Sequence, residues 1–145
     1  MMRILISIIS ILLSTLSFAS TNVGCAKVGA SMYIDLTSAI IEDLNLSRDQ
    51  IIQNNVSVEV ISLSPISKVY AEQLAEMEFK NQTTNFLRKN DYARIFYEDD
   101  VKIIVAKYTY RNEKNQKNVF IASSLKNKYE CSIRFNGYLI VEREF

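Results

Sequence analysis

Histidine is absent from the 145-residue chain, and so is tryptophan. Without histidine there is no Ser-His or Cys-His nucleophile and no His-based zinc site, which removes most routes to hydrolysis. Ser123-Ser124-Leu125-Lys126 matches the S-x-x-K spacing of a nucleophilic serine. That motif needs a helix start to hold its lysine under its serine, and at the end of a strand the two side chains point to opposite faces. Glu72 and Glu76 share a helical face, and Glu98-Asp99-Asp100 forms an acidic turn. Paired carboxylates do acid-base work only where their environments split their pKa values, and solvated charge accounts for these. No catalytic or metal-ligating set emerges, and no cofactor is implied.

Two kinds of residue remain. Cys25 and Cys131 stand 106 positions apart, far from the C-x-x-C spacing that activates a thiol, and in an oxidising compartment a structural disulfide is the expectation. The polar, basic run from Arg111 to Asn118, with Lys114 and Lys117, reads as the tip of a rigid hairpin, a common place for recognition. Tyr108 and Tyr110 in the strand before it, with Tyr129 and Tyr138 later, suggest an aromatic stripe. Tyrosines of this kind anchor interfaces, or they pack under a helix. Arg111, Lys114, Lys117, Tyr108 and Tyr110 are the expected partner-binding residues.

The chain opens with Met1-Met2-Arg3, followed by an apolar run from Ile4 to Phe18 and small residues at Ser17 and Ala19. This is the pattern of a signal peptide over residues 1–19, too short for a membrane span, which usually needs about 20 residues. Gly24-Cys25 leaves lipid processing as a rival and an uncleaved anchor as another. The expectation is an exported chain, periplasmic or secreted, with no stable membrane span once the signal is removed. Residues 20–145 then form one domain. From Ser20 to Val101 there are 7 Lys/Arg against 12 Asp/Glu, and from Lys102 to Phe145 there are 9 against 4. That split polarises a surface toward a charged partner, or draws two halves of one domain together. The overall balance gives no polycation to argue for nucleic acid.

The elements that must position these residues follow from periodicity. Tyr33, Leu36, Ile40 and Leu44 fall at helical spacing, and Ser47 with Gln50 forms a capping-box pattern. Val56, Val58 and Val60 alternate in a strand that Ser64-Pro65 should end. Proline at a first helical position then starts a helix to about Lys80, with Ile66, Val69, Tyr70, Leu74 and Met77 inward. A shorter third helix or irregular segment spans Asn85 to Phe96, with Phe86, Leu87, Tyr92 and Ile95 buried. Strands follow at Val101 to Tyr110 and Val119 to Leu125. Lys128 to Phe145 reads as a hairpin turning at Asn136-Gly137, because a two-residue type I′ turn needs positive φ at both positions. The fold class is α+β: an antiparallel four- to five-stranded meander sheet packed by two or three helices, with one disulfide.

This layout resembles the colicin M immunity protein and the YebF-like small exported proteins: a signal peptide, Cys25 just before an amphipathic helix, a small antiparallel sheet, and Cys131 followed by the closing strand Tyr138 to Phe145. The resemblance implies an envelope protein that acts by binding another protein, a toxin in one case. The expectation is therefore a protein-binding module, an immunity-type inhibitor of a toxin. The alternative is an accessory component of a secretion or pilus system, or a secreted virulence factor.

Overall fold

A computed structural model describes residues 24–145 of the chain, and the expected signal peptide lies outside the described residues. Helix α1 runs Ser31–Leu44 and buries Met32, Tyr33, Leu36 and Ile40, the stripe that the spacing predicts. Asn45 ends it in the left-handed conformation at φ 52°, which asparagine tolerates because its short amide bonds locally. The Ser47/Gln50 box closes a single 3-10 turn at Arg48–Gln50, with the Ser47 amide donating to Gln50 Oε1 at 2.8 Å.

Strand β1 is Val56–Pro65. Pro65 is thus the last residue of a strand, not the first of a helix; at a sheet edge its missing N–H forfeits no ladder bond. Ser67 supplies the cap instead, accepting from the Tyr70 amide at 3.2 Å, and α2 is Lys68–Asn81. Its buried face is Ala71, Leu74 and Ala75. Val69 and Met77, expected inside, are exposed. Small alanines let α2 lie close to α3, Lys89–Tyr97, so the contact stripe is rotated from the most apolar one. In α3 the buried residue is Phe96, stacked on Tyr92, whereas Phe86 and Ile95 face outward.

The sheet continues with β2 Lys102–Arg111, β3 Lys117–Lys126 and β4 Arg134–Arg143, and its order is β1-β2-β3-β4, antiparallel throughout. The expected terminal hairpin does not exist. Asn136-Gly137 lies inside β4, where Ser123 pairs with Gly137 and Ser124 with Phe135, leaving Asn136 as an unpaired extra residue. Gly137 has φ +100°, so the same conformational freedom that makes Asn-Gly a turn here makes a β-bulge. Lys128 to Ile133, expected as the first arm, is the β3–β4 connection, held by Asn127 Oδ1 accepting from the Tyr129 and Glu130 amides at 2.8 and 2.7 Å. Cys131 accordingly sits in a loop rather than a strand. Among the described residues the sheet has four strands, the lower of the expected numbers.

Residues directly opposite in the register share a face. Ile104, Ala106, Tyr108 and Tyr110 of β2 join Phe120 and Ala122 of β3 in a core closed by α1. Ile103 and Leu125 point the other way, into a second cluster built from α2, α3, Ile66 and Val101. That helical pair covers only the end of its sheet face near Val101.

Candidate functional site

On the closed face, the expected tyrosine contacts turn out to be core. Tyr108 and Tyr110 are 0% and 1% exposed, so neither is available to a partner. Tyr33 of α1 stacks on Tyr110 at 6.1 Å between centroids, and Phe120 meets Tyr110 edge-on at 5.7 Å. The Tyr108 hydroxyl donates to the Ala26 carbonyl at 2.7 Å, and the Tyr110 hydroxyl meets Thr37 Oγ1 at 3.0 Å. Burial pushes both phenols well above their ordinary pKa. Tyr129 lies apart from them, exposed in the β3–β4 loop.

The open face is the other side of the same strands. The alternation that sends Tyr108 and Tyr110 inward sends Lys107, Thr109 and Arg111 outward, and β3 adds Lys117 and Val119 across from them. With Val141 and Glu142 of β4 they line a shallow hollow of about 350 Å³, a floor of Thr109, Val119 and Val141 ringed by three cations. The structure thus brings together Arg111 and Lys117, two of the residues singled out from sequence. Lys107 is a third that the sequence reading missed, although its i, i+2, i+4 spacing with Thr109 and Arg111 carries the signal.

Lys114 is not part of this group. It sits on the β2–β3 tip, five residues long rather than eight because Arg111 already pairs with Lys117. Its amide donates to Asn112 Oδ1 at 3.0 Å, as does that of Gln116, and Asn115 is left-handed at φ 59°. Lys114 lines a separate cleft with Asp49, Gln50, Glu113 and Phe145.

The charges of the open face are partly balanced. Lys107 Nζ meets Glu59 at 2.9 Å and Lys117 Nζ meets Glu142 at 3.0 Å. Arg111 has no carboxylate partner among the described residues; its Nη1 donates to Asn115 Oδ1 at 3.3 Å. Exposed pairs of this type contribute little, so an incoming acidic group can exchange into them. The opposite charges of the two halves of the chain also meet inside the domain, through Lys102–Asp100, Lys107–Glu59, Lys128–Asp99 and Arg134–Glu78.

The carboxylates weighed for chemistry are ion-paired. Glu76 contacts Lys80 and Lys89, whose hydrogen bonds lower its pKa, and the Lys102 hydrogen bond lowers that of Asp100. Ser123 accepts from Asn136 Nδ2 at 3.1 Å and faces away from Lys126. Cys25 and Cys131 are joined, with Cα atoms 5.2 Å apart. Beside that bond, Ser132 donates to Asp35 of α1 and shares a hydrogen bond with the buried Ser124 hydroxyl at 2.8 Å. No helix among the described residues is long and apolar enough to cross a membrane. No family model, curated protein or solved structure matches the chain.

Proposed function

We propose that this is an exported protein-binding module of the bacterial envelope that docks an acidic partner on its open sheet face, in the manner of an immunity protein occluding a toxin. The observation that carries the reading is the one-sided sheet. One face is closed by α1, while among the described residues nothing covers the hairpin end of the other, with Lys107, Arg111 and Lys117 around an apolar floor. Such a surface offers steering charge at the rim and area to bury at the centre. The disulfide between the segment before α1 and the loop before β4 is consistent with the cysteine placement on which the resemblance to the colicin M immunity and YebF-like proteins rests, and a disulfide suits an oxidising compartment.

Capture from periplasmic extract tests it. The wild-type protein and a Lys107→Glu, Arg111→Glu variant are compared side by side, with retained proteins identified by mass spectrometry. The expected outcome is a partner with an acidic surface, held by the wild type, released by added salt and lost from the variant. Equal retention by both proteins removes the site, and failure of the captured partner's activity to fall on binding removes the inhibitor role.

A further inference from the structure

Among the described residues, strand β4 has β3 on one side and no strand on the other. Along it Leu139, Ile140 and Val141 are 69%, 49% and 57% exposed. An apolar run on an unpaired edge is a template for another strand. Both edges are bulged, β1 at Ile61 and β4 at Asn136 and Val141, but β1 has no three consecutive exposed apolar residues and ends in Ser64-Pro65.

Three features of β4 specify what pairs with it. The first is a hollow of about 270 Å³ on the open face, lined by Val105, Ile121, Ser123, Asn136 and Leu139 around Gly137. A Cβ at position 137 would meet nothing within 4 Å. The second is register. Antiparallel pairing of β4 with a second β4 about Tyr138 sets each Leu139 opposite the Gly137 of the other copy, so each exposed leucine enters the hollow that the other's glycine leaves. The third is charge, because the same register sets Arg134 opposite Glu142 in both directions. A shift of one residue would oppose Arg134 to Arg143.

The faces agree as well. Arg134, Gly137, Leu139 and Glu142 pair with Leu125, Ser123, Ile121 and Val119, which all lie on the sheet face opposite α1. The Ile133 amide donates to the Leu125 carbonyl and the Glu144 amide to that of Lys117, so odd-numbered residues of β3 carry the bonds to β4. Gly137, opposite Ser123, therefore turns its main chain inward, and Tyr138 turns its main chain out toward the free edge.

We infer that the chain forms a two-fold dimer by antiparallel pairing of β4 with β4 about Tyr138, joining two four-stranded sheets into one. The inference is independent of the partner-docking reading, and its test involves no partner. Arg134 keeps Glu78 on one side and still has donors for Glu142 of the second copy.

Sedimentation equilibrium of the purified protein decides it. The wild type should sediment at twice the monomer mass. Leu139→Lys should raise the dissociation constant about tenfold or more, with the far-ultraviolet circular dichroism unchanged. Arg134→Glu and Glu142→Arg should each weaken the dimer, and the double swap should restore it. If Leu139→Lys fails to fold, Tyr138→Cys replaces it: directly paired Cα atoms at about 5.5 Å permit a disulfide between copies, seen as a reducible dimer in denaturing gels. A wild type that stays monomeric at about 100 µM, a dimer indifferent to Leu139→Lys, or a Tyr138→Cys protein that does not cross-link overturns the assignment.

Discussion

Asn118 is the polar side chain on which the end of the sheet depends. It is fully buried. Its amide donates to the Phe145 carbonyl at 2.8 Å, and its carbonyl accepts from the Glu144 and Phe145 amides at 2.8 and 3.1 Å. A buried amide with every group paired is stabilising, and removing it leaves main-chain groups without partners. Asn118→Ala should therefore lower unfolding free energy by about 2 kcal/mol, read from the urea midpoint. From the sequence alone Asn118 belongs to a polar loop, because its chemical type is that of loops. The tertiary structure buries it because three main-chain partners converge on one side chain.

At the scale of elements, the decisive joint is the β3–β4 connection. It is fixed to the 3-10 turn Gly24–Ala26 before α1 by the Cys25–Cys131 bond and to α1 itself by the Ser132–Asp35 contact. Ser132 sits at φ 56°, a conformation that serine adopts only when its surroundings impose it. In the chain-entropy account, a cross-link spanning 106 positions contributes about 4 to 5 kcal/mol. Reduction and alkylation should lower the unfolding free energy, obtained from urea denaturation, by an amount of that order, and the Cys25→Ser, Cys131→Ser protein should match the alkylated one. A shift below about 1 kcal/mol would mean that the surrounding hydrogen bonds hold the joint without the sulfurs. The α2–α3 pair shows the opposite relation to sequence. Hydrophobicity alone favours Val69 and Met77 as the inward face of α2, but Ala71 and Ala75 let the helices approach, and close packing outweighs the size of any one side chain.

For the molecule as a whole, the core between α1 and the sheet ties stability to alkaline pH. Burial holds the Tyr108 and Tyr110 phenols in the neutral form. Tyr138, desolvated and donating to Asp43 at 2.9 Å, has its pKa pushed up to about 12. Each folded-state pKa lies above the unfolded value of about 10, so between the two the native state keeps protons that the unfolded chain has lost. Stability from these groups is fully present below pH ~10 and falls as pH rises beyond it. Tyrosinate absorbance at 295 nm should show a late-titrating fraction that is released together with loss of circular dichroism. Tyr108→Phe should remove part of that coupling, while leaving the Ala26 carbonyl without its donor. A phenolate signal complete by pH ~11 with the fold intact would contradict the buried cluster.

The sequence by itself determined the α+β class, the α1 stripe, the β2 and β3 strands and the pairing of the two cysteines. All of these rest on local periodicity or on simple arithmetic among few candidates. It also singled out Arg111 and Lys117 as basic residues of a polar loop, whereas the structure places them opposite each other at the ends of β2 and β3. Tertiary structure decided that Asn136-Gly137 is a bulge in one long strand, since an Asn-Gly pair supplies positive φ equally to a turn or to a bulge, and only the neighbouring strand selects between them. It also decided which face of β2 is closed. Alternation separates Tyr108 and Tyr110 from Lys107, Thr109 and Arg111, but which set is covered depends on where α1 packs, a non-local contact that no stretch of chain encodes alone.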